Sequence, residues 1–336
     1  MDCLPLKVKL QDEESIYWKG AIKNDDGVKA LDVSENGRWI GAGSWDSSIC
    51  IYCANTFKLL YTFTEHSSAV MGVRFSRDNS KFCSGGADMK AVIWSTTSWT
   101  ILHSIQMHSD YIMGLRFSPC SRYVAFASND STVSVFDCRE GHGFLQSIPK
   151  RRYWTVSFSP DSKTLVAGSH QSELTYWELS NPAQNNCIKL KESLIILDIA
   201  YIKSTLIMTI DSQGLIVALN PERQSEAIFT FKTRASHLGS SLSVYMPTQL
   251  VFVSGSSLEL FHFSHNDNQE FELKPLWSQR SQTNYWNSTT TYKNGMLVLY
   301  AGAGKGGIQV KRFLLPSFKG LLFVQKLRPQ PTLGNL

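Results

Sequence analysis

The feature of this sequence that most constrains its fold is an internal repeat with a period of about 42 residues. The segment VMGVRFSRDNSKFCSGGADMKAVIWS at 70–95 aligns without gaps with IMGLRFSPCSRYVAFASNDSTVSVFD at 112–137. A related unit precedes them at 28–53, and another follows at 153–179. Repeats of this length indicate an array of similar supersecondary units, each of which buries its apolar face against its neighbour.

Each unit has the alternating apolar pattern of β-structure. In the second unit the short alternating runs lie at 73–75, 82–84, 91–94 and 101–105. Polar and glycine-containing turns separate them, at 76–79 and 85–88 in the same unit. Four strands per unit, repeated around a ring, protect the edges of their sheets. The sequence therefore predicts an all-β fold, a β-propeller with four-stranded antiparallel blades.

The second half of the chain keeps the spacing of short strands and turns but no longer aligns closely with the first four units. A fifth unit surrounds Asp211, a sixth covers 242–263, and a seventh covers 286–313 with a glycine-rich turn at 302–307. Seven units in 336 residues leave 48 residues each, close to the period once tails are allowed. We therefore expect one seven-bladed propeller over 1–336, with clear repeats at 28–179, degenerate repeats at 180–313, and a basic tail or closing strand at 314–336.

An aligned pair of positions gives the repeat its family resemblance. Asp46, Asp88, Asp130 and Gln171 each stand six residues before an aromatic residue, which is Tyr52, Trp94, Phe136 or Trp177 respectively. This pattern resembles the WD-repeat β-propellers, closely over 28–179 and more loosely to about 263. The resemblance implies a buried hydrogen-bonded tetrad of His, Ser or Thr, Asp and Trp. The second unit contains the full set, namely His66, Ser84, Asp88 and Trp94.

The other units depart from the tetrad of the family. The third unit keeps His108 and Asp130, but has Phe126 at the Ser position and Phe136 at the Trp position. The first and fourth units have fewer matches: Asn24, Ala42, Asp46 and Tyr52 in the first, and Gln171 and Trp177 in the fourth. These blades must then rely on sheet packing, and His66 is interpreted as a structural histidine rather than a catalytic one.

Closing a ring requires a strand from one end of the chain to complete the last blade. Counting back two periods from 101–105 reaches 15–19, which has no earlier blade of its own. The apolar run at 321–324 competes for the same place. The sequence leaves both alternatives open.

The formal net charge of +5 is confined to one end of the chain. Residues 311–336 contain five bases and no acid, so the other 310 residues balance 28 bases against 28 acids. A general affinity for nucleic acid is therefore not expected. The seven cysteines are scattered and odd in number. The sequence predicts neither a signal peptide nor a membrane-spanning segment. This composition favours a reducing compartment, the cytoplasm or the nucleus.

Motifs for catalysis or cofactor binding do not reach their required patterns. The turn at 302–307 lacks the glycine and hydroxyl spacing of a phosphate loop. Cys50 and Cys53 have metal-like spacing but no second pair, and no nucleophile-elbow pattern occurs. We therefore expect a protein that is not an enzyme and carries no cofactor or metal.

The strongest candidate for binding is the loop that enters the fourth unit. Its residues Lys150, Arg151 and Arg152 are followed by Tyr153 and Trp154. In the family such loops form the top face together with the Asp turns, and a cationic loop there suits an acidic peptide, a phosphopeptide or a phosphate headgroup. The alternative is a solvated loop whose arginines pair with neighbouring acids.

Alignment of the repeats adds further positions to this top face. Tyr111 and Arg152 are equivalent, while Trp45, Asn129 and His170 each stand just before the turn Asp or its substitute. Exposed Trp, Tyr and Arg are the commonest binding hot spots. The sequence thus predicts a non-enzymatic scaffold that binds a protein or peptide on its top face. The alternatives are a structural subunit of a large assembly and a phosphoinositide or phosphopeptide reader that uses 150–152.

Overall fold

Seven four-stranded antiparallel sheets make up the architecture, in a computed structural model that describes residues 9–17, 27–147, 151–181, 184–190, 194–203, 206–220, 227–238, 240–245, 249–265, 271–280, 285–293, 296–303 and 307–314. In each of the first six sheets, the four strands follow one another in chain order. The innermost strands contact one another in succession, and the last contacts the first, so the sheets form a closed ring. The predicted seven-bladed propeller is confirmed.

The first four blades coincide with the clear repeats. Their strands are, in blade one, β2 (Val28–Val33), β3 (Trp39–Ser44), β4 (Ile49–Cys53) and β5 (Leu59–Phe63); in blade two, β6 (Val70–Phe75), β7 (Lys81–Gly86), β8 (Ala91–Ser95) and β9 (Ile101–Ile105); in blade three, β10 (Ile112–Phe117), β11 (Tyr123–Ser128), β12 (Thr132–Asp137) and β13 (His142–Ser147); and in blade four, β14 (Tyr153–Phe158), β15 (Thr164–Ser169), β16 (Glu173–Glu178) and β17 (Asn185–Lys189).

The last three blades come from the degenerate half of the chain. Their strands are, in blade five, β18 (Ile196–Lys203), β19 (Leu206–Asp211), β20 (Leu215–Leu219) and β21 (Phe229–Lys232); in blade six, β22 (Ser241–Tyr245), β23 (Leu250–Ser254), β24 (Ser257–His265) and β25 (Phe271–Arg280); and in blade seven, β26 (Tyr285–Lys293), β27 (Met296–Ala303), β28 (Gly307–Leu314) and, as the outermost strand, β1 (Lys9–Tyr17).

The ring is closed by the N-terminal strand. β1 pairs antiparallel with β28 from Lys9 opposite Leu314 to Tyr17 opposite Gly307. The 15–17 part of the sequence-based candidate lies in this strand, while the competing run at 321–324 lies outside the described residues. Lys311 and Arg312, counted with the basic end of the sequence, are part of β28 and thus of the closing blade.

Apolar side chains that alternate along the strands pack between neighbouring blades. The junction of blades one and two is rich in aromatic rings, with Trp39 5.7 Å from Trp99 and Phe63 4.5 Å from Trp94, measured between ring centroids. Trp99 has a positive φ of 56°, and its amide donates to the carbonyl of Ser95 at the turn between β8 and β9. Burial of the indole offsets the strain of this left-handed conformation for a bulky residue.

Six cysteines lie in the described part of the chain, and all six carry free thiols. Burial raises the pKa of the Cys138 thiol to about 12, and that of the Cys83 thiol well above its usual value. These two thiols therefore act as small apolar core residues. Among the described residues there is no helix long and apolar enough to cross a membrane.

Candidate partner-binding site

The tetrad of blade two ties two loops to the core of the sheet. The Nδ1 atom of His66 lies 3.0 Å from the carboxylate of Asp88, and its Nε2 atom lies 2.8 Å from Oγ of Ser84. The indole N–H of Trp94 donates to the same hydroxyl at 3.4 Å. Burial acts to raise the pKa of Asp88, but hydrogen bonds from His66 and the Ser67 amide outweigh it and lower that pKa.

Blade three completes an equivalent network with a hydroxyl from another strand. His108 Nδ1 lies 3.0 Å from Oδ2 of Asp130, while Nε2 lies 2.7 Å from Oγ of Ser134. Ser134 belongs to β12 and stands directly opposite Phe126 of β11, the residue at the expected Ser position. The hydroxyl has thus moved across one strand pair, a replacement that column-by-column alignment does not show.

Blade four lacks this arrangement. The buried indole nitrogen of Trp177 has no hydrogen-bond partner, and Ala167 stands at the position that Ser84 occupies in blade two. The Tyr153 hydroxyl lies 3.3 Å from Oγ1 of Thr175 instead. In blade one, Asp46 accepts hydrogen bonds from the amide and the hydroxyl of Ser48. Asn24, the expected partner in that blade, lies outside the described residues.

These networks define a top face, because in blades two and three the loop before the inner strand is tied to the turn between the second and third strands. On this face a pocket of about 760 Å³ lies over the central channel. Three aromatic side chains from different blades line it, namely Trp45, Tyr111 and Trp154. Met71, Met113 and Leu238 supply further apolar surface. An apolar concavity with a few polar groups is typical of a binding site.

Three residues chosen from the repeat alignment meet in this pocket. Trp45 and Tyr111 are 38% and 47% exposed, although most large apolar side chains of the blades are buried. Asn129 also lines the pocket, and its buried Oδ1 atom has no hydrogen-bond partner. An unsatisfied buried acceptor is costly unless a ligand supplies a donor. The top pocket therefore combines exposed aromatic surface with a lining residue whose buried acceptor is unsatisfied.

Comparison with known proteins agrees with this fold. The sequence pattern of the family described as WD domain, G-beta repeat matches residues 18–53, 57–95 and 99–137, a span that includes β2 to β12. The chain is a WD-repeat β-propeller. Propellers of this family are typical protein-interaction scaffolds and are generally not catalytic. Among curated proteins, none matches the chain.

Two solved structures illustrate how far the likeness of this WD-repeat propeller extends. The structure of U3-55K superposes with a TM-score of 0.76 at 15% identity, covering 89% of this chain and 98% of that one. The structure of the RRP9 WD40 repeats superposes with a TM-score of 0.78 at 15% identity, covering 93% and 100%. At this identity the likeness shows a shared fold.

The basic loop of the WD-repeat propeller is less open to a ligand than its sequence suggests. Arg151 Nε lies 2.5 Å from Oε2 of Glu173, and its guanidinium donates to Sγ of Cys187 at 3.1 Å. This side chain therefore lies against the outer strands of blade four. Tyr153 is fully buried and belongs to the core. Lys150 lies outside the described residues.

Arg152 and His170 remain on the top face beside the pocket. Arg152 is exposed, and its backbone carbonyl accepts a hydrogen bond from the amide of His170. The His170 ring packs 4.9 Å from that of Trp154, and burial, aided by the charge of Arg152, lowers the pKa of His170. The buried Nε2 atom of His170 has no hydrogen-bond partner. The two residues thus form a polar margin on the blade-four side.

Sequence reasoning missed Lys29, Met71 and Met113, which form the floor of the pocket. They occupy the second position of three successive inner strands. The same position in the next two holds Trp154, which the sequence had placed beside the basic loop, and Leu197, which lines the smaller cavity below. In each strand the pairing register shifts at this residue, which marks a β-bulge. Bulges redirect side chains near functional sites. The same column of the repeat alignment was the signal that could have identified them.

Below the pocket the channel narrows and becomes polar. A cavity of about 60 Å³ separates the apolar floor from a belt where Arg116 pairs with Asp198 at 2.9 Å. Burial raises the pKa of Asp32 to about 7, against the opposing effects of the Phe75 amide and the charge of Arg116. A ligand of the top pocket therefore meets a floor that is apolar except for Lys29, and the Arg116–Asp198 pair lies beneath it.

Proposed function

We propose that this propeller is a non-enzymatic scaffold that binds a peptide or protein partner in its top pocket. The observation that carries the proposal is the convergence of Trp45, Tyr111 and Trp154, from blades one, three and four, on one concavity. Large aromatic side chains that remain exposed around a pocket are the usual anchors of protein interfaces. The flexible thioethers of Met71 and Met113 can adapt the floor to the shape of an inserted side chain.

The compartment we propose is the cytoplasm or the nucleus. Support comes from the thiols of the described cysteines, which are free although Cys50 and Cys83 sit in tightly packed blades. Free thiols are the usual state of cysteines in reducing compartments. The partner would therefore be a protein of the same compartment.

A second candidate function, that of a structural subunit of a large assembly, is favoured by the outer strands of blades one and two. Leu60 and Leu102 are each 45% exposed there, and Tyr61 and Ile101 are exposed beside them. Neither β5 nor β9 contains a charged residue that would discourage association along its edge. A subunit that docks through its sides would use this surface rather than the top pocket.

The experiment compares two double variants of the full chain in affinity purification from cells, with partners identified by mass spectrometry. Trp45→Ala with Tyr111→Ala removes the exposed pocket aromatics, and we expect it to abolish capture of the partners bound by the wild type. The matched control, Leu60→Ala with Leu102→Ala, removes exposed apolar surface of the outer strands and should leave capture intact.

The two variants also decide between the candidate functions. Thermal unfolding should be nearly unchanged in both, because the substituted side chains are exposed. Partners that survive the pocket variant but are lost from the outer-strand variant would overturn the top-pocket proposal in favour of the assembly subunit. Sedimentation with phosphoinositide vesicles, for the wild type and Arg152→Ala, tests the third alternative. Charge-dependent vesicle binding would count against a peptide as the ligand.

A further inference from the structure

One bulge residue differs in chemistry from its counterparts in the next four blades. In blades two to five the bulge of the inner strand presents Met71, Met113, Trp154 and Leu197, all of them apolar. In blade one the register shift between Val28 and Ala30 places Lys29 at the same point. The pocket floor thus consists of apolar side chains interrupted by one lysine on the blade-one side.

The environment of Lys29 combines burial, which disfavours a charge, with the face of an aromatic ring, which attracts a cation. The residue is 7% exposed, and its ammonium lies 5.5 Å from the centre of the Trp45 ring. Burial lowers the pKa of Lys29 to about 7. A buried cation gains most from an anion brought into the same low-dielectric site.

The charged groups around the pocket favour an anionic ligand over a cationic one. Of the described residues that line it, Asp46 is the acid, and its Oδ1 atom already accepts the amide and hydroxyl of Ser48. On the other sides stand His237, whose pKa is lowered by burial and by the charge of Lys29, and the exposed Arg152 next to the pocket residue Trp154. A cationic ligand would meet like charges here.

We propose that the top pocket selects a partner segment that presents a carboxylate flanked by apolar side chains, and that Lys29 forms an ion pair with this carboxylate. The inference rests on the proposed function and specifies its ligand. The carboxylate would approach the ammonium beside Trp45, while the flanking side chains pack on Met71 and Met113.

The test begins with a library of random linear peptides displayed on phage and selected on the full-length wild-type chain. For each selected peptide, synthetic forms with Glu or Asp, and with Gln or Asn in its place, are compared by fluorescence polarisation. The wild type should bind the acidic form at least tenfold more tightly than the amide form. Lys29→Met should bind both forms equally, and Lys29→Arg should retain the preference.

The Lys29→Met variant carries its own control for folding. It places in blade one the residue that blades two and three already hold at the same bulge, so the site accommodates it without a new shape.

A pH series on the wild type adds a second readout. Affinity for the acidic peptide should fall as the pH rises above about 7, where Lys29 loses its proton. The pKa values of His170 and His237 are lowered below 6.5, so these rings do not titrate in that range.

The outcomes separate this inference from the proposed function. Selected peptides without acidic enrichment, or an acidic preference that survives in Lys29→Met, would overturn the reading by Lys29 while leaving the pocket as the binding site. Peptides that bind equally well to Trp45→Ala with Tyr111→Ala would overturn the pocket itself. Loss of binding in that double variant, together with loss of acidic preference in Lys29→Met, supports both.

Discussion

Replacing Ser134 with Ala is expected to lower the free energy of unfolding by about 1–3 kcal/mol. The side chain of His108 is 1% exposed, and Ser134 is fully buried. Because Nδ1 of His108 faces the carboxylate of Asp130, that nitrogen carries the proton, and Nε2 accepts from the Ser134 hydroxyl at 2.7 Å. Alanine removes one atom without a clash, so the loss equals the penalty of leaving a buried acceptor without a donor.

Urea unfolding of the full chain, followed by tryptophan fluorescence, measures this change. Ser84→Ala is the matched positive control, since it removes the equivalent hydroxyl 2.8 Å from Nε2 of His66 in blade two. Ser104→Ala, at an exposed position of β9, should change the free energy by less than about 0.5 kcal/mol. If Ser84→Ala destabilised the protein while Ser134→Ala matched Ser104→Ala, the relocated network of blade three would be refuted.

Three further predictions concern single positions. Burial, opposed by Asp130, lowers the pKa of His108 below 6.5, so the unfolded chain takes up the proton first. Stability, measured by thermal unfolding, should therefore decrease as the pH falls below about 6.5. The decrease should be smaller in His108→Gln. Gly114→Ala should lower the free energy of unfolding in urea by about 1–3 kcal/mol, because its Cβ would lie 2.5 Å from the carbonyl oxygen of Trp154. Gly72→Ala should lower it less, because there the Cβ would meet the movable side chain of Leu115 at 3.1 Å. Equal losses in the two variants would contradict this explanation. Lys29→Met should stabilise the protein by about 1–3 kcal/mol at pH 7, because it removes a buried charge. The gain should shrink toward about pH 10, where the lysine of the unfolded chain also becomes neutral. A loss of stability on denaturation at about pH 7 would show that burial does not destabilise the ammonium.

The repeat predicted the ring but not its closure. Within a blade, strands such as β6 and β7 are joined by short turns, so alternation and turn chemistry suffice to pair them. Closure pairs β1 with β28, nearly the whole chain apart, and two segments with strand-like patterns were available. Hydrogen bonding between distant strands has no local signature, so the N-terminal solution could be seen only in the structure.

Repeat alignment placed several residues on the top face from the sequence alone. Trp45 and Asn129 stand at one loop position of the repeat and Tyr111 stands at another, and the ring brings all three to one pocket. The role of Arg151 was not readable, because its acidic neighbour Glu173 follows 22 residues later on another strand. The bulge column was missed for a different reason. Met71 and Met113 are apolar, as core residues are, and only the register shift in their strands turns them toward the channel.

Site-specific photo-crosslinking tests the central claim most directly. A benzophenone amino acid is placed at Tyr111 in the top pocket or, in a second variant, at Leu102 on the outer strand of blade two, and the crosslinked partners are identified by mass spectrometry. Both positions are exposed to a similar degree, so surface access does not distinguish them. The account predicts crosslinks from Tyr111 to one contiguous, acidic and apolar segment of a partner, and none from Leu102. Crosslinks from Leu102 with none from Tyr111 would contradict it.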